Sequence, residues 1–221
     1  VATEDARIVS FCQDRDIPVV LTDDTCKTGT DRMAQAIKNL GWPADILLGL
    51  QGDAPFTPVA AVTGVVQALI DHPSADVATP VVKLRWAELD RLRENKKSTP
   101  FSGTTCVMNE SGRAFWFSKN IIPGIRKEDA LRTASEFSPV YQHLGLYGYR
   151  AAALERFNQL PEGVYERLEG LEQLRLIENG MWIQTVPLTI DLGLAQSGVD
   201  SPEDVVRAEE VIRQYGEPLR Q

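Results

Sequence analysis

Apolar and polar positions alternate along this chain in two periods. Short apolar runs bounded by turn residues read as strands, and stretches with apolar residues three and four apart read as helices. Segment 4–12 has helical spacing, and 17–21 is a short apolar run. Segment 31–40 carries Met33, Ile37 and Leu40 on one face and stops at Gly41, a residue suited to a helix C-terminus. Segment 57–71 repeats the helical pattern with Val59, Val62, Val66, Leu69 and Ile70, bracketed by Pro58 and Pro73. Segment 75–82 reads as a strand, 86–93 as a short charged helix and 94–103 as a polar loop. Two strand-like runs, 104–108 and 114–117, flank Asn109-Glu110-Ser111-Gly112, a plausible hairpin turn. Segment 120–139 is irregular and charged, a candidate mobile loop. Segment 143–150 is strand-like with Gly145 and Gly148 inside it, and interior glycines mark close approach by a ligand or another backbone. Helices are expected over 151–158 and 168–179, a strand over 182–188, and a last helix over 205–215. That last helix is introduced by Ser201 as N-cap, Pro202 as first residue and Asp204 as capping acid.

Strands alternating with helices predict an α/β fold of three layers with a mostly parallel central sheet, the 109–112 hairpin being a small antiparallel insertion. With 221 residues, 43% of them hydrophobic, the chain is long enough for one core and reads as a single domain, 1–221. Its organising stretch is Asp45-Ile46-Leu47-Leu48-Gly49-Leu50-Gln51-Gly52-Asp53-Ala54-Pro55-Phe56. The apolar run suits a strand buried on both faces, and ligands of open α/β sheets bind beyond the carboxyl ends of strands. Gln51, Gly52 and Asp53 fall there. Gly52 leaves the backbone open to a ligand, and a carboxylate at a strand tip suits a hard cation such as Mg²⁺. Gly-Asp-Ala-Pro reads equally well as a polar turn.

The formal net charge of −8 excludes the basic footprint of a general nucleic-acid binder, so an anionic ligand must be met by local arginines, backbone N–H groups or metal ions. Cys12, Cys26 and Cys106 are widely spaced, and His72 and His143 lie far apart, so neither a zinc site nor a disulfide scaffold is expected. No apolar run approaches the ~18 residues of a membrane span, and no signal peptide is visible.

The chemistry-bearing residues form a few groups. Asp53 and Asp200 are carboxylates at strand-to-helix junctions; converging on one pocket, they could hold Mg²⁺ and a triphosphate, although Asp200 also simply precedes a helix cap. Thr28-Gly29-Thr30-Asp31-Arg32 lies between strand and helix, where hydroxyls and free N–H groups suit anions or base edges; capping by Thr30 is an equal reading. His143 in a strand reads as a hydrogen-bonded core residue more readily than as a catalytic base. Leu168, Leu171 and Leu174 form the core face of a helix whose Glu169, Glu172 and Gln173 face solvent unless something recruits them.

Together these blocks resemble one family. Val1-Ala2-Thr3-Glu4-Asp5, Thr28-Gly29-Thr30-Asp31-Arg32, Gln51-Gly52-Asp53-Ala54-Pro55, Phe117-Ser118-Lys119, His143-Leu144-Gly145-Leu146-Tyr147-Gly148-Tyr149-Arg150, Leu171-Glu172-Gln173-Leu174-Arg175 and Gly198-Val199-Asp200-Ser201-Pro202-Glu203-Asp204 resemble the 3-deoxy-manno-octulosonate cytidylyltransferases, the CMP-Kdo synthetases, in that family's order. The resemblance implies a nucleotide-diphosphosugar-transferase-like fold, usually a cytoplasmic homodimer, and Mg²⁺-dependent transfer of CMP from CTP to the anomeric hydroxyl of a 2-keto acidic sugar for surface-polysaccharide or lipopolysaccharide precursors. By that similarity Asp53 and Asp200 are catalytic and bind Mg²⁺. Thr28, Gly29, Thr30, Arg32, Gln51 and Gly52 line the cytidine pocket, and Lys119, His143, Tyr147, Glu172 and Gln173 hold the sugar. No nucleic-acid or membrane partner is implied. The chain departs from the family pattern at several places. The family's N-terminal strand and Arg-rich, Pro-Gly-Lys triphosphate loop do not precede Val1. Ala54 replaces a Glu, Lys119 an Arg, and Thr104-Thr105-Cys106-Val107 a Val-Lys-Val-Val run. The last three changes bear on the sugar, so Kdo or a relative is the expected acceptor. The alternative is a non-catalytic nucleotide-binding homologue with a regulatory role.

Overall fold

Two sheets account for the strands of the computed structural model, which describes residues 1–190, 198–199 and 201–216. The first is small: β1 (Ala2–Thr3) pairs in parallel with β2 (Val20–Leu21), with α1 (Ala6–Gln13) between them. α2 (Gly29–Leu40) follows, capped at its start by the Thr28 hydroxyl, which accepts from Asp31 N at 3.1 Å, and closed by Gly41 at φ 61°.

The main sheet is built from β3 (Ile46–Gly49), β4 (Val77–Arg85), β5 (Thr105–Met108), β6 (Ala114–Ser118), β7 (Phe137–His143), β8 (Tyr147–Arg150) and β9 (Ile183–Leu188). Its order is β3-β8-β4-β7-β5-β6, with β9 on β4. Only the β4–β9 pairing is parallel; the other pairings are antiparallel. The expectation of a mostly parallel sheet is therefore overturned. Strand–helix alternation implied parallel crossovers, but β7 and β8 are consecutive pieces of one bent strand with no helix between them. That strand runs antiparallel between β4 on one side and β3 and β5 on the other. Nor is β3 an interior strand: among the described residues it pairs only with β8, and only Leu47 of its four residues is fully buried.

Three layers are present, as the apolar patterning requires. On β4, Val77 and Val81 face a core shared with α2, α6 (Ala151–Gln159) and α8 (Gln173–Glu178), while Ala78, Val82 and Leu84 face α3 (Val59–Asp71) and α4 (Trp86–Ser98). The two-residue period of a strand supplies both faces from one segment. Gly148 of β8 lies under α3, where a methyl in its place would stand 2.5 Å from Val65 Cγ1.

Three other expectations change. The helix begun at Trp86 continues to Ser98, through part of the predicted polar loop. Segment 120–139 contains α5 (Glu128–Ala134), clamped to α4 because Arg93 and Arg132 share Glu128 and Arg132 also pairs with Asp90. The single helix expected over 168–179 is two, α7 (Val164–Glu169) and α8, parted by Gly170 at φ 62°, a left-handed turn no continuous helix contains. The last helix, α9 (Pro202–Tyr215), begins with the predicted Ser201–Asp204 capping box. No helix among the described residues is long and apolar enough to cross a membrane.

Candidate functional site

Beyond the tip of β3 lies a cavity of about 510 Å³ lined by residues that include Gln51, Asp53, Asn95, Gln142, His143 and Gly198. The stretch 51–57 forms its rim through short turns, Ala54 N donating to Gln51 O at 3.2 Å and Thr57 N to Ala54 O at 3.2 Å. Asp53 projects from this rim into solvent. Asp200 lies outside the described residues, but its neighbours do not: Val199 N donates to Asp53 O at 2.8 Å, and Gly198 lines the cavity. The chain just before Asp200 is thereby held at the strand tip that carries Asp53.

Gln51 packs on α2. A methyl on Gly29 would fall 2.7 Å from Gln51 Nε2, so the amide rests on a backbone position that only glycine leaves open. The Thr28–Arg32 block and the 51–53 turn are thus in contact. A methyl on Gly52 would meet nothing within 4 Å. Within the block, the cap is Thr28 rather than Thr30. Thr30 donates instead to Glu172 Oε2 at 2.7 Å, joining the start of α2 to the start of α8. Arg32 is turned away, paired with Glu4 at 2.5 Å and donating to Thr22 Oγ1 at 2.7 Å.

His143 ends β7. Its Nε2 lies 2.8 Å from Thr79 Oγ1, and the single proton of that hydroxyl goes to Leu146 O at 2.7 Å, since a carbonyl can only accept. Thr79 therefore accepts from His143 Nε2–H, which leaves Nδ1 as a free acceptor. Enclosure, and then the nearby Lys119 ammonium, push the imidazole down from its usual 6.5 to about 3, so it is neutral. Its ring packs on Phe117 and on Tyr147, both at 5.2 Å. The Tyr147 hydroxyl is held well above its usual range by burial, with Tyr149 and Glu172 adding to the effect.

Glu172 and Gln173 are recruited, contrary to the solvated alternative. Gln173 is 4% exposed, and both its Nε2 and the second oxygen of Glu172 are buried without a partner. A buried donor and a buried acceptor, adjacent in sequence, are thus left with hydrogen-bonding capacity unused within the protein. Lys119 presents its ammonium toward His143, while its backbone is fixed at both ends. Its N–H donates to Glu169 Oε2 at 2.5 Å and its carbonyl accepts from Lys96 Nζ at 2.5 Å. Thr105 does not take over the role of a cation. Its hydroxyl donates to Asn120 O at 2.7 Å and accepts from Ile122 N at 3.0 Å, and so staples the start of the 120–139 segment.

Sequence reasoning missed Thr79, Lys96 and Gln142. Thr79 and Lys96 carry no local signal. Gln142 does, since it occupies a buried-face position of β7 in register with Ser138 and Val140.

The fold and the site define a class. Residues 1–183 match the cytidylyltransferase family. The 3-deoxy-manno-octulosonate cytidylyltransferase of Maricaulis maris (strain MCS10) is 43% identical over 217 residues, 98% of this chain and 81% of that protein. The enzyme of the same name from Elusimicrobium minutum (strain Pei191) is 35% identical over 213 residues, 96% and 80% of the two chains. The solved structure of a CMP:2-keto-3-deoxy-manno-octonic acid synthetase complexed with CTP superposes with a TM-score of 0.81 at 29% identity, covering 97% of this chain and 80% of that one. A cytidylyltransferase from Leptospira borgpetersenii serovar Hardjo-bovis, 12% identical with a TM-score of 0.54 over 96% of this chain and 67% of its own, shares the fold. The chain belongs to the 3-deoxy-manno-octulosonate cytidylyltransferase family.

Proposed function

We infer that this protein transfers CMP from CTP to the anomeric hydroxyl of Kdo, or of a closely related 2-keto acidic sugar, for lipopolysaccharide or surface-polysaccharide precursors. The sugar oxygen attacks the α-phosphorus, the bond to the β-phosphate oxygen breaks, pyrophosphate leaves, and the hydroxyl proton passes to solvent. The observation that carries this reading is the convergence of the Gln51–Asp53 turn, the start of α2, His143 and Glu172 on one region at the tip of β3.

In this reading Gln51, resting on Gly29, and the start of α2 with Thr28 and Thr30 receive the cytidine. Lys119 meets the sugar carboxylate as a single point charge, without the bidentate fork an arginine offers. Tyr147, Glu172, Gln173 and His143 Nδ1 receive sugar hydroxyls. His143 orients rather than deprotonates, because a base with its pKa near 3 is weak at neutral pH. Arg32, paired with Glu4, supports the pocket from behind.

Mg²⁺ is the proposed cofactor. Asp53 offers a hard, accessible oxygen donor. Asp53, with Asp200, would hold it, since a hard cation takes carboxylate and phosphate oxygens. Bound there, the ion would neutralise charge developing on the phosphoryl oxygens. A cytoplasmic homodimer accords with the family reading.

The test is pyrophosphate release by the full-length protein with CTP, Mg²⁺ and Kdo. Asp53→Asn should lower kcat by about a hundred-fold or more, as loss of a group stabilising transition-state charge does, with an unchanged melting temperature. Wild-type turnover in that variant removes Asp53 from the mechanism. CTP binding with no turnover of any 2-keto sugar acid supports a regulatory homologue instead.

A further inference from the structure

One part of the cavity, walled by α4, the 102–103 turn and β7, is left unassigned by the reaction outlined above. Gln142 forms its floor. Ser138, Val140 and Gln142 all point to the same side of β7. Ser138 is satisfied by donating to Leu84 O at 2.9 Å, and Val140 packs among Leu84, Leu89 and Leu92. Gln142 is 5% exposed, yet its amide makes no hydrogen bond to any described residue and opens on the cavity. His143 reaches the same cavity from the other face of the strand because β7 ends there. Because the amide opens on the cavity, its hydrogen bonds are completed by whatever fills that space, water or a polar group of a ligand.

The surroundings specify what that is. The space beside the amide is kept by Gly103, where a methyl would stand 3.0 Å from Leu92 Cδ1 and 3.2 Å from Gln142 Nε2, at a φ of +67°. The turn is fixed by Lys96, whose ammonium donates to the carbonyls of Pro100 (3.2 Å), Ser102 (2.5 Å), Gly103 (3.0 Å) and Lys119 (2.5 Å). Thr105, paired with Gln142 across the strands, has its hydroxyl already occupied. Gln142 therefore offers the subsite a neutral amide that both donates and accepts, with the Asn95 amide also on the cavity wall. Two cations nearby, Lys96 and Lys119, make it unfavourable for an ammonium. A hydroxyl, which donates and accepts in one group, is the complementary ligand.

We propose that Gln142 is a specificity-determining residue for the acceptor, its amide exchanging hydrogen bonds with one hydroxyl of the sugar beyond the reacting carbon. This rests on the acidic-sugar reading. The nucleotide block is at Gly29 and Gln51 and the phosphates at Asp53, so the acceptor is what remains to fill this part of the cavity.

The experiment compares Kdo with analogues that each lack one hydroxyl, using the full-length protein. Wild type should reject one analogue by about ten-fold or more in kcat/KM, because a site built to pair a hydroxyl is left with unpaired groups when that hydroxyl is absent. Gln142→Met, similar in volume, should treat that analogue and Kdo alike, with the KM for CTP within about two-fold of wild type. Gln142→Asn, which shortens the amide, should fall between. Wild-type selectivity across the whole analogue set in Gln142→Met, or a wild type that discriminates against none of them, overturns the proposal while leaving the sugar reading intact. A wild type that binds CTP but turns over neither Kdo nor any other 2-keto sugar acid overturns both.

Discussion

At His143 one proton decides the chemistry. Because Thr79 must give its own proton to Leu146 O, the imidazole holds a hydrogen on Nε2, and burial, with Lys119 nearby, keeps the ring neutral. The sign of the pH effect follows. Between about 3, its value in the folded protein, and its usual 6.5, the unfolded chain binds a proton that the native protein does not. Stability from this residue is thus fully present above pH 6.5 and falls as the pH drops toward 3. Two measurements check this. Ring ¹⁵N shifts of His143 should stay those of a neutral Nε2–H tautomer from pH 5 to 8, and urea unfolding should show a falling free energy below about pH 6.5. A midpoint near 6.5 for His143 in the folded protein contradicts the assignment. His143 was visible in the sequence as a residue of interest, but its controlling partner was not. Thr79 lies 64 positions earlier in the chain, and only the β4–β7 pairing brings them together. The same holds for Thr30, whose helix-cap pattern concealed a hydrogen bond to Glu172, 142 positions away.

Elements were legible where local chemistry dictates them and illegible where partners do. The Ser201–Asp204 capping box, the Gly41 terminus and the 109–112 hairpin all stand as the sequence implies, because each is a short-range hydrogen-bond pattern. Strand direction is not short-range. It depends on which strand lies alongside, and the bent β7–β8 segment reverses the expectation for most of the sheet. The charged 120–139 segment misled for a related reason: the arginines that order α5 include Arg93, on α4. Gly148 was expected to mark a close approach, and it does, to α3 rather than to a ligand. Gly148→Ala should force a methyl against Val65 and Leu69 and cost about 1–3 kcal/mol, the usual penalty of overpacking a core. Equilibrium denaturation with an unchanged m-value is the check, and a midpoint equal to wild type would mean that α3 moves aside freely.

Across the whole molecule the charge is −8, yet behind the 102–103 turn of the cavity the Lys96 ammonium is held by backbone carbonyls, and among the described residues neither it nor Lys119 makes a carboxylate salt bridge. An acidic protein can still favour an anionic ligand when a cation such as Lys119 is left without a carboxylate partner near the site. Among the described residues, the hydrogen bond that joins the strand tip to the end of the chain is a main-chain one, Val199 N–H to Asp53 C=O. Side-chain identity at 199 is therefore irrelevant to the connection, and only an imino acid severs it. Val199→Ala should keep turnover near wild type. Val199→Pro should reduce kcat about ten-fold or more through a displaced Asp53 turn while thermal melting barely changes, and equal turnover in the two variants would show that the link is idle. What that bond requires of position 199 is an amide hydrogen, which every amino acid but proline supplies.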